Sequence, residues 1–274
     1  MGERIGIIGY GSMGKMIATK MLEKGVVSEE DLFVSNRTIE KISALKEKYP
    51  KITMCSNVDS AKCANLIFLC VRPIDMKAVL EEIKEYVTDD KCVISLNGSI
   101  RFKQLERVIR GKLSKAIPSI TAEVNESQTL VCHNDKVTKE DKETLEKLLS
   151  CFGYVIELPE EEMGMGSELV SCMPGFLASI VKVITDSAQR HTEIEAKEIT
   201  RMIFETMYGT SKLVREQNVA IEELIERVAT KGGITEEGTK VIEEKFSLIA
   251  DEMFEKTLQK RRLISEAAES SFAK

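Results

Sequence analysis

The sequence is poor in aromatic and imidazole side chains. Among its 274 residues there is no tryptophan, aromatic residues make up 5%, and the two histidines, His133 and His191, stand far apart. The seven cysteines form no Cys-x-x-Cys pair and show no spacing with the histidines that is typical of zinc ligands. We therefore expect no metal site and no histidine-based triad. Scattered, reduced cysteines are typical of a cytoplasmic protein.

Long apolar runs and an excess of positive charge are also lacking. No stretch approaches about 18 consecutive apolar residues, and the first strand begins at the N-terminus with no signal peptide. The formal net charge is −6, whereas nucleic-acid and membrane-surface proteins usually carry a basic face. The compact basic run Lys260-Arg261-Arg262 lies in a helical pattern and is interpreted as a solvated helix face. These features predict a cytoplasmic protein with no nucleic-acid or membrane partner.

Residues 1–159 alternate short apolar runs with amphipathic stretches. Such alternation predicts an α/β domain with helices on both faces of a mostly parallel sheet. The predicted strands are 5–8, 32–34, 66–71, 92–96, 113–117, 129–132 and 154–156. The predicted helices are 13–25, 38–48, 73–87, 101–109 and 138–151.

After Pro159 the pattern changes to long helical periodicity with almost no strand signal. The predicted helices are 160–191, 193–216, 220–229, 235–245 and 247–270. Pro174-Gly175 is expected to kink or break the first of them. Residues 160–274 are therefore predicted to form a second, all-α domain, which would supply a substrate pocket and a dimer surface.

The most informative segment is a glycine-rich turn directly after the first strand. Residues 9–14 read Gly9-Tyr10-Gly11-Ser12-Met13-Gly14, and a helical pattern follows them. In this order, strand, glycine turn and helix form the fingerprint of a Rossmann-type dinucleotide-binding domain. The turn lets backbone approach a pyrophosphate, and the helix N-terminus offers free N–H groups to it. Gly9, Gly11, Ser12, Met13 and Gly14 are therefore predicted to bind a cofactor.

The residues after the second strand distinguish between the two nicotinamide cofactors. NAD enzymes place a carboxylate there for the ribose 2′-hydroxyl, whereas this chain has Ser35-Asn36-Arg37-Thr38. A guanidinium with neighbouring hydroxyl and amide donors can bind a 2′-phosphate. We therefore predict NADP(H) rather than NAD(H), with Ser35, Asn36 and Arg37 as ligands, while Thr38 also begins the next helix.

Several short motifs, in order and over nearly the whole chain, resemble those of pyrroline-5-carboxylate reductases, the NAD(P)H enzymes that form proline. In the first domain they are the glycine turn, the 35–38 segment, Asn57, Val71-Arg72-Pro73, Leu96-Asn97-Gly98 and Ile117-Pro118-Ser119. The resemblance implies that Asn57 lies near the adenosine of the cofactor. It also implies that Val71, Arg72 and Pro73 belong to the cofactor site, with Asn97 and Gly98 beside the nicotinamide.

The second domain carries the other half of the resemblance. Residues 170–176, Val-Ser-Cys-Met-Pro-Gly-Phe, resemble the family's helix entry near the substrate, with Met173 in its pocket. Residues 227–235 resemble the family's loop that binds the substrate carboxylate, which implies that Thr230, Lys231, Gly232, Gly233 and Thr235 bind substrate. Two glycines before a helix also expose successive N–H donors, and Thr235 is expected to cap that helix.

The implied reaction is reduction of the cyclic imine 1-pyrroline-5-carboxylate to L-proline by NADPH. Thr235 is the candidate catalytic residue, and either Thr235 or a water would form a hydrogen bond with the ring nitrogen. The chain departs from the family pattern at Met173, Ser119, Asn97 and Phe176. In these departures it is similar to a divergent branch of the family encoded beside late competence genes in Gram-positive bacteria.

Two other functions are compatible with the same residues. One is a reductase of another imine or of a hydroxyacid, for which Lys182 with Asp186 one turn later is the candidate pair, although a solvated helix position explains Lys182 better. The other is a non-catalytic NADP-binding regulatory protein, which the departures favour and Gly232-Gly233 and Thr235 oppose. The resemblance further implies a homodimer or higher homo-oligomer formed through the C-terminal helices.

Overall fold

The computed structural model describes residues 3–273, without the side chains of Ser271 and Ala273. An eight-stranded sheet with helices around it is followed by a run of helices. The strands are β1 (Ile5–Ile8), β2 (Leu32–Ser35), β3 (Thr53–Met54), β4 (Leu66–Leu69), β5 (Cys92–Ser95), β6 (Lys112–Ile117), β7 (Ser127–His133) and β8 (Gly153–Glu157). The α-helices are α1 (Ser12–Glu23), α2 (Ser43–Lys48), α3 (Asn57–Cys63), α4 (Pro73–Ile83), α5 (Phe102–Leu105), α6 (Lys139–Leu149), α7 (Met163–Ser167), α8 (Met173–Ala188), α9 (Ala196–Gln217), α10 (Ile221–Val228) and α11 (Ile234–Ala273).

The strands lie in the order β3-β2-β1-β4-β5-β6-β7-β8. Neighbouring pairs are parallel except β6 with β7, whose register pairs Ala116 with Val131. The strands β1, β4 and β5 are buried along their whole length, as expected for strands covered on both faces. The predicted α/β fold with a mostly parallel sheet is confirmed.

Each face of the sheet has its own apolar core. On one face α1 and α6 bury Ile17, Met21 and Leu148 against the sheet. On the other face α4 buries Leu80, and the end of α11 adds Phe272. Because both cores hold the strands from opposite sides, the carboxyl ends of the strands are fixed relative to one another.

Two short elements were not predicted from the sequence. The strand β3 has two residues, which is too short for a periodic pattern, and α3 begins at Asn57 behind a Ser56 cap that accepts a hydrogen bond from the Asp59 amide. The predicted helices 38–48 and 101–109 are shorter in the structure. The former begins as a 3₁₀ turn at Ile39–Ile42, and the latter is the single turn of α5.

The structure divides into two compact units at boundaries that differ from residue 159. One unit runs to Cys172 and also includes the chain from Leu258 onward, and the other is Met173–Thr257. The reason is that α7 packs with the sheet and the last turns of α11 belong to its second core. Domains bounded at residues 159 and 160 thus remain a sequence-based prediction.

The C-terminal helices differ from prediction in one respect. Instead of separate helices at 235–245 and 247–270, the chain forms the single 40-residue helix α11. No glycine or proline follows Gly238 in this stretch, so nothing in the sequence ends the helix. The expectation of two helices was therefore wrong.

The helical stretch before α8 contains an irregular turn. A 3₁₀ turn at Glu160–Glu162 leads into α7, and a π-helical turn, Glu168–Cys172, separates α7 from α8. Pro174 follows this turn at the second position of α8 and has no N–H to offer the preceding turn. The predicted disturbance at Pro174 is thus a wide turn rather than a break.

One helical stretch among residues 3–273, Glu160–Ala188, could cross a membrane by length and apolar composition alone. Only 17% of its apolar window is buried within the chain. This finding differs from the expectation that no segment has such a character. A single helix of this length and composition is weak evidence for a membrane span.

Candidate active site

The glycine-rich turn after β1 has the backbone that its sequence predicts. Gly9 has φ +100°, and a Cβ there would lie 2.7 Å from the Cys70 carbonyl oxygen. A Cβ on Gly14 would lie 2.1 Å from the Gly9 carbonyl oxygen, because α1 begins directly against the turn. Only glycine satisfies both positions.

Gly11 lies in open space at the N-terminus of α1. A Cβ at this position would meet nothing within 4 Å, and no side chain caps the helix. The first turn of α1, with Ser12 and Met13, contains no acidic residue. The N–H groups and the positive end of the helix therefore face an open cradle that suits a pyrophosphate.

In the segment after β2, residues 35–38, the Asn36 side chain is used to hold the backbone of neighbouring residues. The Asn36 side-chain oxygen accepts a hydrogen bond from the Tyr10 amide at 2.9 Å, and its nitrogen donates to the Thr38 carbonyl at 2.7 Å. Arg37 is exposed and makes no hydrogen bond or ion pair that the structure describes. Asn36 thus holds the glycine turn in place, and Arg37 is the cation available for a 2′-phosphate.

A short hydrogen-bond chain lies beside this segment. The Ser35 hydroxyl donates to the Asn57 side-chain oxygen, and the Asn57 nitrogen donates to Glu82 at 2.7 Å. Glu82, near the end of α4, was missed in the sequence because nothing in its local pattern connects it with Asn57. The structure therefore brings the predicted adenosine-side residues together and adds a carboxylate to them.

The ends of β4 and β5 complete the same edge of the sheet. Arg72 precedes α4, with Pro73 as its first residue, and donates from Nε to Asp75 at 2.9 Å. Val71 is one of the residues nearest to Gly9, because a Cβ at Gly9 would lie 3.0 Å from its side chain. After β5 the Asn97 side-chain oxygen accepts a hydrogen bond from the Ser99 amide at 2.9 Å.

All predicted cofactor residues therefore lie at the carboxyl ends of β1, β2, β4 and β5 or just after β3. Because the strand order reverses between β1 and β4, this edge contains a topological switch point, where α/β proteins bind ligands. Among residues 3–273 no group of three metal-ligating side chains occurs.

The thiols near this edge are unreactive. Burial raises the pKa of Cys70, beside the glycine turn, to about 12 and that of Cys55, after β3, to about 11. All seven cysteines are free. At Cys70 and Cys55 a thiolate is therefore scarce at neutral pH, and these two side chains act as small apolar groups.

The predicted substrate loop lies in the unit Met173–Thr257. Gly232 has φ +75°, and the Gly233 amide donates to the Thr230 carbonyl at 2.8 Å. The Gly232 amide donates to a carboxylate oxygen of Glu236 at 2.7 Å. The exposed loop thus binds a carboxylate of its own chain in this structure.

Thr235 does not cap α11. The helix begins at Ile234, so that Thr235 is its second residue and has an exposed side chain. The Gly232 amide of the loop donates its hydrogen bond to Glu236 instead. The expectation that Thr235 caps the helix was wrong, because the helix starts one residue earlier. Its hydroxyl is consequently free of a capping bond.

The remaining predicted residues are placed less specifically. Met173 is half-buried at the first position of α8. Lys182 forms an exposed ion pair with Asp186 at 2.5 Å, as expected for a solvated helix face. The Ser119 hydroxyl accepts a hydrogen bond from the Thr121 amide at 3.4 Å and begins a 3₁₀ turn.

Comparison with known proteins identifies both halves of the chain. A family model described as NADP oxidoreductase coenzyme F420-dependent matches residues 4–98, and one described as pyrroline-5-carboxylate reductase dimerisation matches residues 160–264. The chain is 37% identical over 265 residues to pyrroline-5-carboxylate reductase 3 of Bacillus subtilis, covering 96% of this chain and 97% of that protein. The chain belongs to the pyrroline-5-carboxylate reductase family.

Other relatives agree with this placement. The ComE operon protein 4 of Bacillus subtilis is 27% identical and covers 94% of each chain, so the predicted similarity to a competence-operon relative is confirmed. A pyrroline-5-carboxylate reductase from Coxiella burnetii has a TM-score of 0.85 at 24% identity, covering 98% of this chain and 99% of that chain. The latter similarity confirms the reductase fold, with its Rossmann-like sheet domain and its helical C-terminal region.

Proposed function

We propose that this protein reduces 1-pyrroline-5-carboxylate to L-proline with NADPH. The observation that carries the proposal is the 37% identity to a pyrroline-5-carboxylate reductase over nearly the full length of both chains. The open cradle at Gly11 and the unpaired Arg37 support a cofactor with a pyrophosphate and a 2′-phosphate.

The residues of this chain would bind and orient the reactants. NADPH supplies the hydride when bound. Arg37 and the first-turn N–H groups of α1 would hold its phosphates, and the backbone after β4 and β5 would hold its nicotinamide half. A protonated cyclic imine is already electrophilic, so alignment with the hydride donor matters more than a strong acid.

The Thr230–Gly233 loop would bind the carboxylate of the substrate. Support comes from Glu236, whose carboxylate accepts the Gly232 amide hydrogen and is the same chemical group as the substrate anion. A substrate carboxylate would take over this donor, and Lys231 would add positive charge. The free hydroxyl of Thr235 would donate to the carboxylate, or its oxygen would accept a hydrogen bond from the N–H of the protonated ring.

Oxidation of NADPH by the purified protein with 1-pyrroline-5-carboxylate tests the proposal. Thr235→Val keeps the side-chain shape but removes the hydroxyl, so we expect the KM for the imine to rise with unchanged NADPH affinity. Thr210→Val, at an exposed position of α9, is the matched control and should behave as the wild type. Absence of turnover with an intact, NADPH-binding protein would contradict the proposal.

A second candidate function is NADP(H) binding without imine reduction. The departures at Met173, Ser119 and Asn97 favour it, together with the similarity to ComE operon protein 4. Tight NADPH binding with no turnover of this or any other cyclic imine would support the second candidate.

We further propose that the chain forms a homodimer or larger homo-oligomer through its C-terminal helices. Large apolar side chains are exposed there, including Tyr208 on α9 at 68%, Val228 on α10 at 58% and Leu248 on α11 at 71%. Such exposed apolar area is typical of an interface. Sedimentation velocity should find no monomer at micromolar concentration, and Leu248→Glu should weaken the assembly. A wild-type monomer would contradict this proposal.

A further inference from the structure

A buried ion pair lies beside the carboxyl end of β5. The carboxylate of Glu168, with 1% of its side chain exposed, accepts hydrogen bonds on Oε1 from Nε and Nη2 of Arg261 at 3.1 Å and 2.7 Å. Nη2 also donates to the Ser167 hydroxyl at 3.1 Å. Arg261 is therefore not part of a solvated helix face, as its basic run suggested, whereas Arg262 is exposed.

The third nitrogen of Arg261 points to the end of β5. Nη1 lies 3.2 Å from the position that a Cβ on Gly98 would occupy, so a side chain at residue 98 would crowd the guanidinium. Within the described chain no hydrogen bond is found for Nη1, while 19% of the Arg261 side chain is exposed. Two N–H donors thus remain available at this strand end.

Glu168 is incompletely satisfied as well. Its Oε2 atom is buried and accepts no hydrogen bond of good geometry, although buried polar atoms usually do. The Cys172 thiol is a neighbour, and after burial the charge of Glu168 raises the pKa of that thiol. The residue begins the π-helical turn before α8, and such turns occur frequently at functional sites.

The topology assigns this strand end to one half of a bound dinucleotide. The pyrophosphate cradle follows β1, and the two halves of a dinucleotide lie on either side of the switch point between β1 and β4. Arg37 after β2 takes the adenosine side. The opposite half must therefore extend towards β4 and β5, where Arg261 lies against Gly98.

We propose that Arg261 binds the nicotinamide end of the cofactor, with Nη1 donating to the carboxamide oxygen. Ser167 and Glu168 are positioning residues for its guanidinium. Glu168 also keeps the pair neutral, beside a ring whose charge rises by one when the hydride passes to the imine carbon. This inference rests on the proposed use of NADP(H).

Titration calorimetry with three ligands tests the contact. Arg261→Lys keeps the charge but removes the planar guanidinium and with it Nη1. NADPH and NADP⁺ should both bind about tenfold more weakly, because one hydrogen bond is lost. Adenosine 2′,5′-bisphosphate lacks the nicotinamide half, and its affinity should stay within about twofold. Arg262→Lys, at the neighbouring exposed arginine, should bind all three ligands as the wild type.

Glu168→Gln tests the charge balance. The amide retains the shape and one acceptor for Arg261 but leaves the guanidinium uncompensated beside the ring. The ratio of the Kd for NADP⁺ to the Kd for NADPH should therefore rise by about tenfold, because the oxidised ring is cationic. Glu266→Gln, at an exposed carboxylate on α11, is the control and should leave the ratio unchanged.

The outcomes separate this inference from the proposed function. If Arg261→Lys weakens the bisphosphate fragment as much as NADPH, or if Glu168→Gln leaves the ratio unchanged, the pair is purely structural and the inference is overturned. If the wild type itself does not bind NADPH, both the inference and the proposed function are overturned. Thermal melting of every variant identifies any loss of folded protein.

Discussion

Two matched substitutions in the glycine turn should separate an effect on the stability of the fold from an effect on the affinity for the cofactor. In Gly14→Ala the new methyl group would lie 2.1 Å from the Gly9 carbonyl oxygen, so backbone must move. In Gly11→Ala it would meet no atom within 4 Å, and the backbone at φ −87° and ψ −163° is open to any residue. The two variants should therefore fail in different ways.

Gly14→Ala should chiefly destabilise the fold. Overpacking against rigid backbone costs about 3 kcal/mol. For a protein of this size the melting temperature should fall by roughly 6–12 °C. Gly11→Ala replaces one weak helix cap by a weaker one, so its stability should fall by about 1 kcal/mol or less.

Gly11→Ala should chiefly weaken cofactor binding. The methyl group would occupy the cradle at the N-terminus of α1 and keep a pyrophosphate from its N–H donors. Loss of two hydrogen bonds to a charged acceptor costs about 3 kcal/mol, or roughly 100-fold in affinity.

Thermal melting with and without NADPH measures both effects, since a ligand that binds the folded state raises the melting temperature by an amount that grows with the logarithm of the ratio of ligand concentration to Kd. Gly238→Ala, a substitution in α11 that meets nothing within 4 Å, is the control and should leave the NADPH-induced shift unchanged. A Gly11→Ala variant stabilised by NADPH as strongly as the wild type would refute the assignment of the cradle. An unchanged melting temperature in Gly14→Ala would refute the packing argument.

Three further predictions concern single side chains. Arg37→Gln should weaken the binding of NADPH in calorimetry by roughly 10–100-fold, because one charge-assisted contact to the 2′-phosphate is lost, and should leave the affinity for NADH unchanged. Lys103→Gln, at an exposed lysine, is the control. The Lys115 side chain is 1% exposed and forms an ion pair with Glu160 at 2.5 Å. Lys115→Met should therefore lower the free energy of unfolding in urea by about 3 kcal/mol, and adding Glu160→Gln should restore more than half of that loss. Equal stability of the single and the double variant would contradict this. Burial lowers the pKa of His133 in the folded state, so the unfolded state takes up a proton first as the pH drops below about 6.5, and the stability of the fold decreases as the pH decreases. In His133→Gln the free energy of unfolding should depend less on pH between about pH 5 and 6.5. An unchanged pH dependence would contradict this.

The strands that carry the cofactor edge could be predicted from sequence because burial on both faces leaves a continuous apolar signal. The run Leu66–Leu69 and the run Ile5–Ile8 are examples, each followed by a turn whose residue types limit its conformation. Arg37 could be placed at this edge for the same reason, since it comes just after β2. Asn57 was placed there only by the resemblance to the family, because the short strand β3 before it gives no periodic signal.

The partners of these residues could not be predicted because they are distant in the sequence. Arg261 and Glu168 lie 93 positions apart, and Glu168 begins an irregular turn that no periodic pattern describes. Likewise, α11 runs unbroken because its sequence contains no helix breaker after Gly238. The apolar periodicity alone did not show that the two predicted helices are continuous. Local patterns thus predicted the elements and their ends, whereas tertiary contacts determined the side-chain partners.

The central claim, reduction of a cyclic imine by hydride from NADPH, is tested most directly by following the hydride. Purified protein would be given 1-pyrroline-5-carboxylate and NADPH with deuterium at both nicotinamide C4 positions, and the product would be examined by mass spectrometry. The account predicts proline carrying one deuterium on the former imine carbon, formed in equal amount to the NADPH consumed. Bound NADPH with no labelled proline would contradict it.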